Sequence, residues 1–294
     1  MSGTIGVKRY EMVDSPPPAW TWDDYGRFLS KQWAACLRDA SSEQDVQDFL
    51  ELHPCLLPGG EGGGDSFGGH HGPLPGAVVR QPELPGLNRP VPDFLWVTKT
   101  SAGIHPVLIE IEDPRKRWFT KAGLPRSELT QARNQLSDWK TWFSHPAHQS
   151  LFSEKYLLDH YLRRWLPVVP RYVLVYGRRA DAEGDRQANR SRANQQPNDV
   201  LEMTYDRLAP QLTASNCVTA HAGTSGWTVV NIPPTFRLGP NNAEDLNILS
   251  GWENAIGANN LITAERQRFL LERLAYWQEY AREGGGLRDS RDWE

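Results

Sequence analysis

Glu110 and Glu112, one residue apart in PVLIEIEDP, and Asp93 in VPDF are the side chains whose type and spacing best suit chemistry. The run 91–118 carries two strand signals, FLWV at 94–97 and PVLIEI at 106–111, both rich in β-branched or aromatic residues. The Ser and Gly of the intervening TKTSAGIH suit a turn, so a β-hairpin is predicted. Side chains alternate across a strand, which sets Glu110 and Glu112 on one face with Leu108 in phase. Asp93 opens the preceding strand and reaches that pair if the hairpin register brings it there. Three carboxylates converging at a strand end repel one another unless a cation lies between them. Hard, oxygen-seeking Mg²⁺ is the natural partner. The plain alternative is that these acids face solvent on an antiparallel strand.

The neighbouring residues bear on the same chemistry. Arg115, Lys116 and Arg117 in DPRKRW follow the acids directly and either grip phosphates or form a solvated run. Gln131 sits on a predicted helix beside the acidic site, as helix surface or as a group that orients a water or meets a phosphate. The segment 178–196 holds Arg178, Arg179, Arg186, Arg190 and Arg192 among acids, and reads equally as a nucleic-acid-facing helix or a solvated one. His70 and His71 lie in a Gly-rich loop without a partner at ligand spacing and receive no role.

These residues need elements to position them. A polar lead over 1–19 ends in three prolines, and apolar spacing predicts a helix over 22–39. Ser41 and Ser42 cap a second helix that runs through Glu51 and ends at His53-Pro54. Glycine and proline dominate 58–76, which is expected to be a mobile loop. A short strand over 77–84 leads to the hairpin. Beyond it come a helix over 126–143 capped by Ser127, a helix near 151–165, a buried central strand over 168–178 and a strand over 198–205. A helix start at 205–212, a strand in GWTVVNIPPTF and a last helix from Thr263 to a Gly284 stop complete the series. In that last helix Phe269, Leu270, Leu274 and Trp277 pack within the chain or across a dimer.

Composition narrows the classes. A chain of 294 residues is long enough for one large domain or two modest ones. Its net charge of −4 supplies no global basic field, so any hold on nucleic acid rests on local arginines. Three cysteines without CxxC spacing indicate neither a disulfide framework nor a zinc cluster, and a reducing cytoplasm is expected. No run of about 18 apolar residues is present, so no membrane association is expected.

The order FLELHP, VPDF, LIEIEDP, SELTQARNQLSDWKTWF, RYVLVYGRR and NDVLEMTYDRL resembles the Shedu-type anti-phage defence nucleases, a family of the PD-(D/E)XK superfamily. The resemblance spans roughly residues 43–210, leaving 1–42 as an N-terminal lead and helix and 211–294 as a C-terminal extension. It implies an α/β fold, a PD-(D/E)XK nuclease-like mixed central sheet flanked by helices, with helical additions at both ends. It implies that Asp93 and Glu110 ligate metal, and places Glu112 where the superfamily usually has Lys. A third carboxylate there favours a second divalent ion. Glu43, or less well Glu51, and Gln131 would join the site. The implied activity is Mg²⁺-dependent hydrolysis of phage DNA phosphodiesters, with Mn²⁺ substituting, by a cytoplasmic homo-oligomer. Arg115, Lys116, Arg117, Arg178 and Arg179 would hold the DNA backbone, and a terminal region or an oligomer contact would mask the site. Against this stand a catalytically silent scaffold that binds nucleic acid or assembles with partners, and, last, a glycosidase. Neighbouring acids on one strand lack the placement across a bond that glycosidase chemistry needs.

Overall fold

Strand β3 (Ile104–Ile111) runs through the middle of the molecule, and every one of its residues is buried. The computed structural model describes residues 10–60, 67–86, 89–156, 166–182, 189–190, 194, 196–224, 226–284 and 294. Because successive side chains of a strand leave on opposite faces, β3 serves two cores. Val107, Ile109 and Ile111 pack in the core that includes residues of α1 (Trp22–Asp39) and α2 (Glu43–Leu52). Ile104 and Leu108 pack in the core that includes residues of α3 (Ser127–Phe143) and α4 (Pro146–Lys155).

The predicted hairpin is present. Strand β2 (Phe94–Lys99) lies antiparallel to β3 with Phe94 opposite Ile109 and Leu95 opposite Leu108. On the other side of β3 lie β4 (Arg171–Val175) and then β5 (Val200–Met203), both parallel. Between these two strands the short helix α5 spans Arg179–Ala182. Strand β1 (Ala77–Arg80) pairs antiparallel with β2 and parallel with β6 (Val218–Gly223). Strands β7 (Gly226–Asn231) and β8 (Leu249–Ser250) complete an eight-stranded mixed sheet of order β5-β4-β3-β2-β1-β6-β7-β8. The C-terminal extension therefore continues the same sheet. Its helices α6 (Asp245–Ile248), α7 (Trp252–Ala258) and α8 (Ala264–Arg282) pack there, and Phe269, Leu270, Leu274 and Trp277 are buried within the chain. No described helix is long and apolar enough to cross a membrane.

Several local expectations are corrected. The stretch 58–76 is held in place over its described residues: His71 and Lys99 exchange backbone hydrogen bonds of 3.0 and 2.8 Å, and Leu74 N–H donates to Val97 at 2.8 Å. The reason is topological. Strand β1 meets β2 only at Leu95 and Phe94 before turning to β6, and the glycine-rich segment pairs with the edge of β2 left open. Glycine at 69 is required there, because a Cβ would collide with the Lys99 backbone. The strand expected over 77–84 stops at Arg80, where Gln81 takes a φ of 44° and donates to the Asp93 carbonyl. Ser127 is not the cap of α3 but its first residue, with Arg126 in the cap position. The helix start expected at 205–212 is a single 3₁₀ turn, Tyr205–Arg207. Residues 157–165 of the helix expected near 151–165 lie outside the described residues.

Candidate active site

The register of the hairpin decides where the acids meet. Asp93 immediately precedes β2, its N–H donates to the Ile109 carbonyl at 3.1 Å, and its Oδ2 accepts the Ile111 N–H at 2.8 Å. That last bond anchors the Asp93 carboxylate between Glu110 and Glu112. Glu112 lies one residue past β3 and stays on the sheet because its N–H donates to Val175 at 3.0 Å. The phenol of Tyr205, entirely buried, donates to the Glu112 carbonyl at 2.5 Å and pins it from the end of β5. Glu110 and Glu112 are only 7% and 8% exposed, which removes the solvent-facing reading of these acids.

Glu43 arrives from a different element. Ser42 caps α2 and shares a capping box with Asp45, which fixes Glu43 as the first helical residue. Burial, then the charge of Glu112, raises the Glu43 carboxyl above its usual range. Burial dominates at Asp93 as well, and with the charges of Glu43 and Glu112 it outweighs the Ile111 hydrogen bond to push this carboxyl up to about 7. Glu110 is driven well above the carboxylate range by burial and by the charges of Asp93, Glu112 and Glu43. Four acids thus share one poorly solvated space, and the cost of charging all of them falls on the two most deeply held. Among the described residues, the partners of these four carboxylates fall between residues 43 and 116. The described residues within 1–42 and 211–294 contribute none of them.

A cation sits on the cluster from nearby in sequence. The ammonium of Lys116 forms an ion pair with the Glu112 carboxylate. Burial alone would lower its pKa, but the hydrogen bond to Glu112 and the charges of Glu112, Glu43 and Asp113 raise it. In the sequence Lys116 reads only as part of a run that either grips phosphates or is solvated. The turn over Asp113–Lys116, closed by a 3.0 Å backbone hydrogen bond, folds it back. Beside it opens a groove of about 400 Å³ lined by Asp113, Arg115, Lys116, Arg117, Arg126 and Glu128.

The other predicted residues are distributed unevenly. Arg115 is exposed and forks onto Asp113, while Arg117 lies 3.9 Å from Asp181. Arg178 grips Asp206 with two nitrogens and donates to the Leu37 carbonyl, which ties α1 to the end of β5; the Arg179 N–H also donates to Asp206. Gln131 is exposed on α3. Glu51 pairs with Arg80 at 2.6 Å, one strand away from the acids. Arg186 and Arg192 lie outside the described residues. Sequence reasoning missed Gln47, buried on α2 one turn after Glu43 and donating to Glu51 at 3.1 Å. The spacing Glu43, Gln47, Glu51 is a polar stripe at helical period, the signal that would have found it. Tyr205 was likewise visible only as part of a strand ending.

The donor set suits a hard divalent ion, being carboxylate oxygen throughout, and Glu110 Oε2 is buried without a hydrogen-bond partner. Among the described residues no three His, Cys, Asp or Glu side chains already stand in a ligating arrangement. An ion would be held only after the carboxylates turn toward it.

The molecule is thus a mixed α/β protein with a buried acidic centre at the open end of its central hairpin. The chain belongs to the Shedu family: the model of the Shedu protein SduA C-terminal region matches residues 40–209, a span that contains all four acids, Lys116 and Tyr205. Membership implies a part in anti-phage defence. No curated protein matches the chain.

Proposed function

We infer that this chain is a metal-dependent nuclease of the PD-(D/E)XK type that hydrolyses DNA phosphodiesters. The observation that carries the reading is the convergence of Glu43, Asp93, Glu110 and Glu112 around an unpartnered buried carboxylate oxygen, beside a groove rich in cations. Asp93, Glu110 and Glu112 would hold Mg²⁺ or Mn²⁺, with Glu43 close enough to add charge. A bound divalent ion supplies Lewis acidity that offsets the charge building on the phosphoryl oxygens. Lys116 performs the work of the lysine absent at position 112: its ammonium holds Glu112 oriented and offsets the charge of the phosphate as it enters. Tyr205 keeps the Glu112 backbone from drifting. Arg115 and Arg117 meet the phosphate backbone along the groove, contacts that carry no base information, so low sequence preference is expected.

The test is cleavage of linear duplex and single-stranded DNA with Mg²⁺, Mn²⁺ or EDTA, comparing the unaltered chain with Asp93→Ala and Glu110→Ala. Metal-dependent products lost in both variants support the reading. DNA binding without cleavage under every metal condition assigns the chain instead to a binding or assembly module.

A further inference from the structure

Residues Trp118–Arg126 form a small finger at the mouth of the cationic groove. Its stem is closed by the Arg126 N–H donating to Trp118 at 3.1 Å and by a bridge between Phe119 and Pro125. Its tip is a turn in which Thr120 N–H donates to Leu124 at 2.8 Å and Gly123 N–H to Thr120 at 3.0 Å. Gly123 adopts a φ of 74°, which a side chain would strain. The root is rigid, since Trp118 is wholly buried with its ring 5.0 Å from that of Tyr176 in an edge-on contact.

The tip contrasts with this root. Leu124 is 64% exposed, the highest value among the large apolar side chains described, and Lys121 beside it is exposed as well. The tip therefore presents one apolar side chain to solvent at the end of a stem that is itself anchored in the core. At the stem, Arg117 and Arg126 both line the groove, and Arg126 Nε is buried without a hydrogen-bond partner. The segment Asp113–Arg117 joins this stem directly to Glu112. An apolar tip on a rigid stem, flanked by guanidinium groups, matches the wedge by which proteins part base steps while gripping the adjoining phosphates.

We propose that the finger is a duplex-distorting element: Arg126 and Arg117 take backbone phosphates, and Leu124 enters between base steps next to the acidic cluster. The proposal rests on the nuclease reading and makes duplex DNA the substrate class that the finger serves. The experiment uses the full chain and a duplex containing 2-aminopurine, first in EDTA to read unstacking and affinity, then in Mg²⁺ to read cleavage of duplex and single strand. The unaltered chain should raise the 2-aminopurine fluorescence. Leu124→Ala, a change at an exposed tip, should remove that rise with little change in affinity, and should slow duplex cleavage about tenfold while leaving single-strand cleavage intact. Arg126→Gln should lower the salt slope of binding by about one. Fluorescence that rises equally with Leu124→Ala, or no binding to duplex at all, overturns the finger. Metal-dependent cleavage with no unstacking keeps the nuclease and removes the wedge, whereas unstacking through Leu124 without any cleavage keeps the wedge and removes the nuclease.

Discussion

The ammonium of Lys116 rests on the carboxylate of Glu112, four residues earlier in the chain. This ion pair holds a cation at the acidic cluster, although position 112 itself is acidic. Lys116→Gln should therefore lower single-turnover DNA cleavage by about 10²-fold or more, as loss of a positioned charge or proton-transfer group does. Lys116→Arg should retain part of the rate. Unchanged cleavage by Lys116→Gln would remove Lys116 from the reaction.

Gly177 controls the same segment from β4's exit. It has a φ of 57°, and a Cβ there would stand 2.6 Å from the Lys116 carbonyl oxygen and 2.9 Å from Trp118 Nε1. Gly177→Ala is expected to displace Lys116 and to abolish most DNA cleavage while the circular-dichroism spectrum stays near native. A fully active variant would show that the segment tolerates the shift.

Metal binding should be linked to protons. Asp93, raised to about 7, and Glu110, raised well above its usual range, are protonated in the folded chain over much of the acidic range. Divalent ions bind the ionised forms, so Mn²⁺ affinity should climb as pH rises through about 7, with proton release measurable by calorimetry in buffers of different ionisation enthalpy. Asp93→Asn should flatten that rise. An affinity independent of pH would contradict the assignment of these acids as ligands.

Two buried groups should give pH-dependent stability of opposite sign. His53 is 5% exposed, with Nδ1 2.8 Å from the Tyr25 phenol oxygen, and burial lowers its pKa from 6.5 to about 4. Between these values the unfolded chain binds the extra proton, so this contribution is present above about 6.5 and is lost as pH falls toward 4. Asp93 works the other way: its carboxyl is raised from 3.8 to about 7, so its contribution is present below 3.8 and is lost as pH rises through 7. In urea melts without metal, His53→Gln should leave a chain that weakens more steeply than the parent as pH rises over this range, and Asp93→Asn one that weakens less steeply, Glu110 and Glu43 still carrying raised carboxyls. Identical profiles for the two variants would refute the pairing.

Arg133 on α3 forks onto Glu202 of β5 at 2.7 and 2.8 Å, and the Glu202 side chain is 3% exposed. Arg133→Met strands a buried charge and should cost about 3 kcal/mol in chemical denaturation. Arg133→Met with Glu202→Met should recover most of that loss. A single variant as stable as the parent would mean that water replaces the arginine.

Much of this architecture was legible because it is local. The β-branched residues of PVLIEI predicted its strand, and the Ser42 and Thr263 caps were visible as hydroxyls ahead of helical spacing. Periodicity also set Glu110 and Glu112 on one face. It was silent on what lay across the chain. Gly69 and His71 read as mobile because glycine composition reports freedom in isolation, whereas an open edge on β2 gave them hydrogen-bond partners. The strand Val218–Gly223 was missed because its alanines, glycine and histidine give little strand signal until pairing with β1 supplies it.

The sequence by itself determined the hairpin, its acids, the helix boundaries near them and the family to which the chain belongs. Only the tertiary structure decided that Glu43 joins Asp93, Glu110 and Glu112, that Lys116 neutralises Glu112, and that Arg178 is engaged by Asp206. The physical reason is range. Caps and alternation are fixed by neighbours within one turn or two residues, but desolvation and charge pairing depend on which distant strands and helices share a space, and that follows from the register and crossing of the whole sheet.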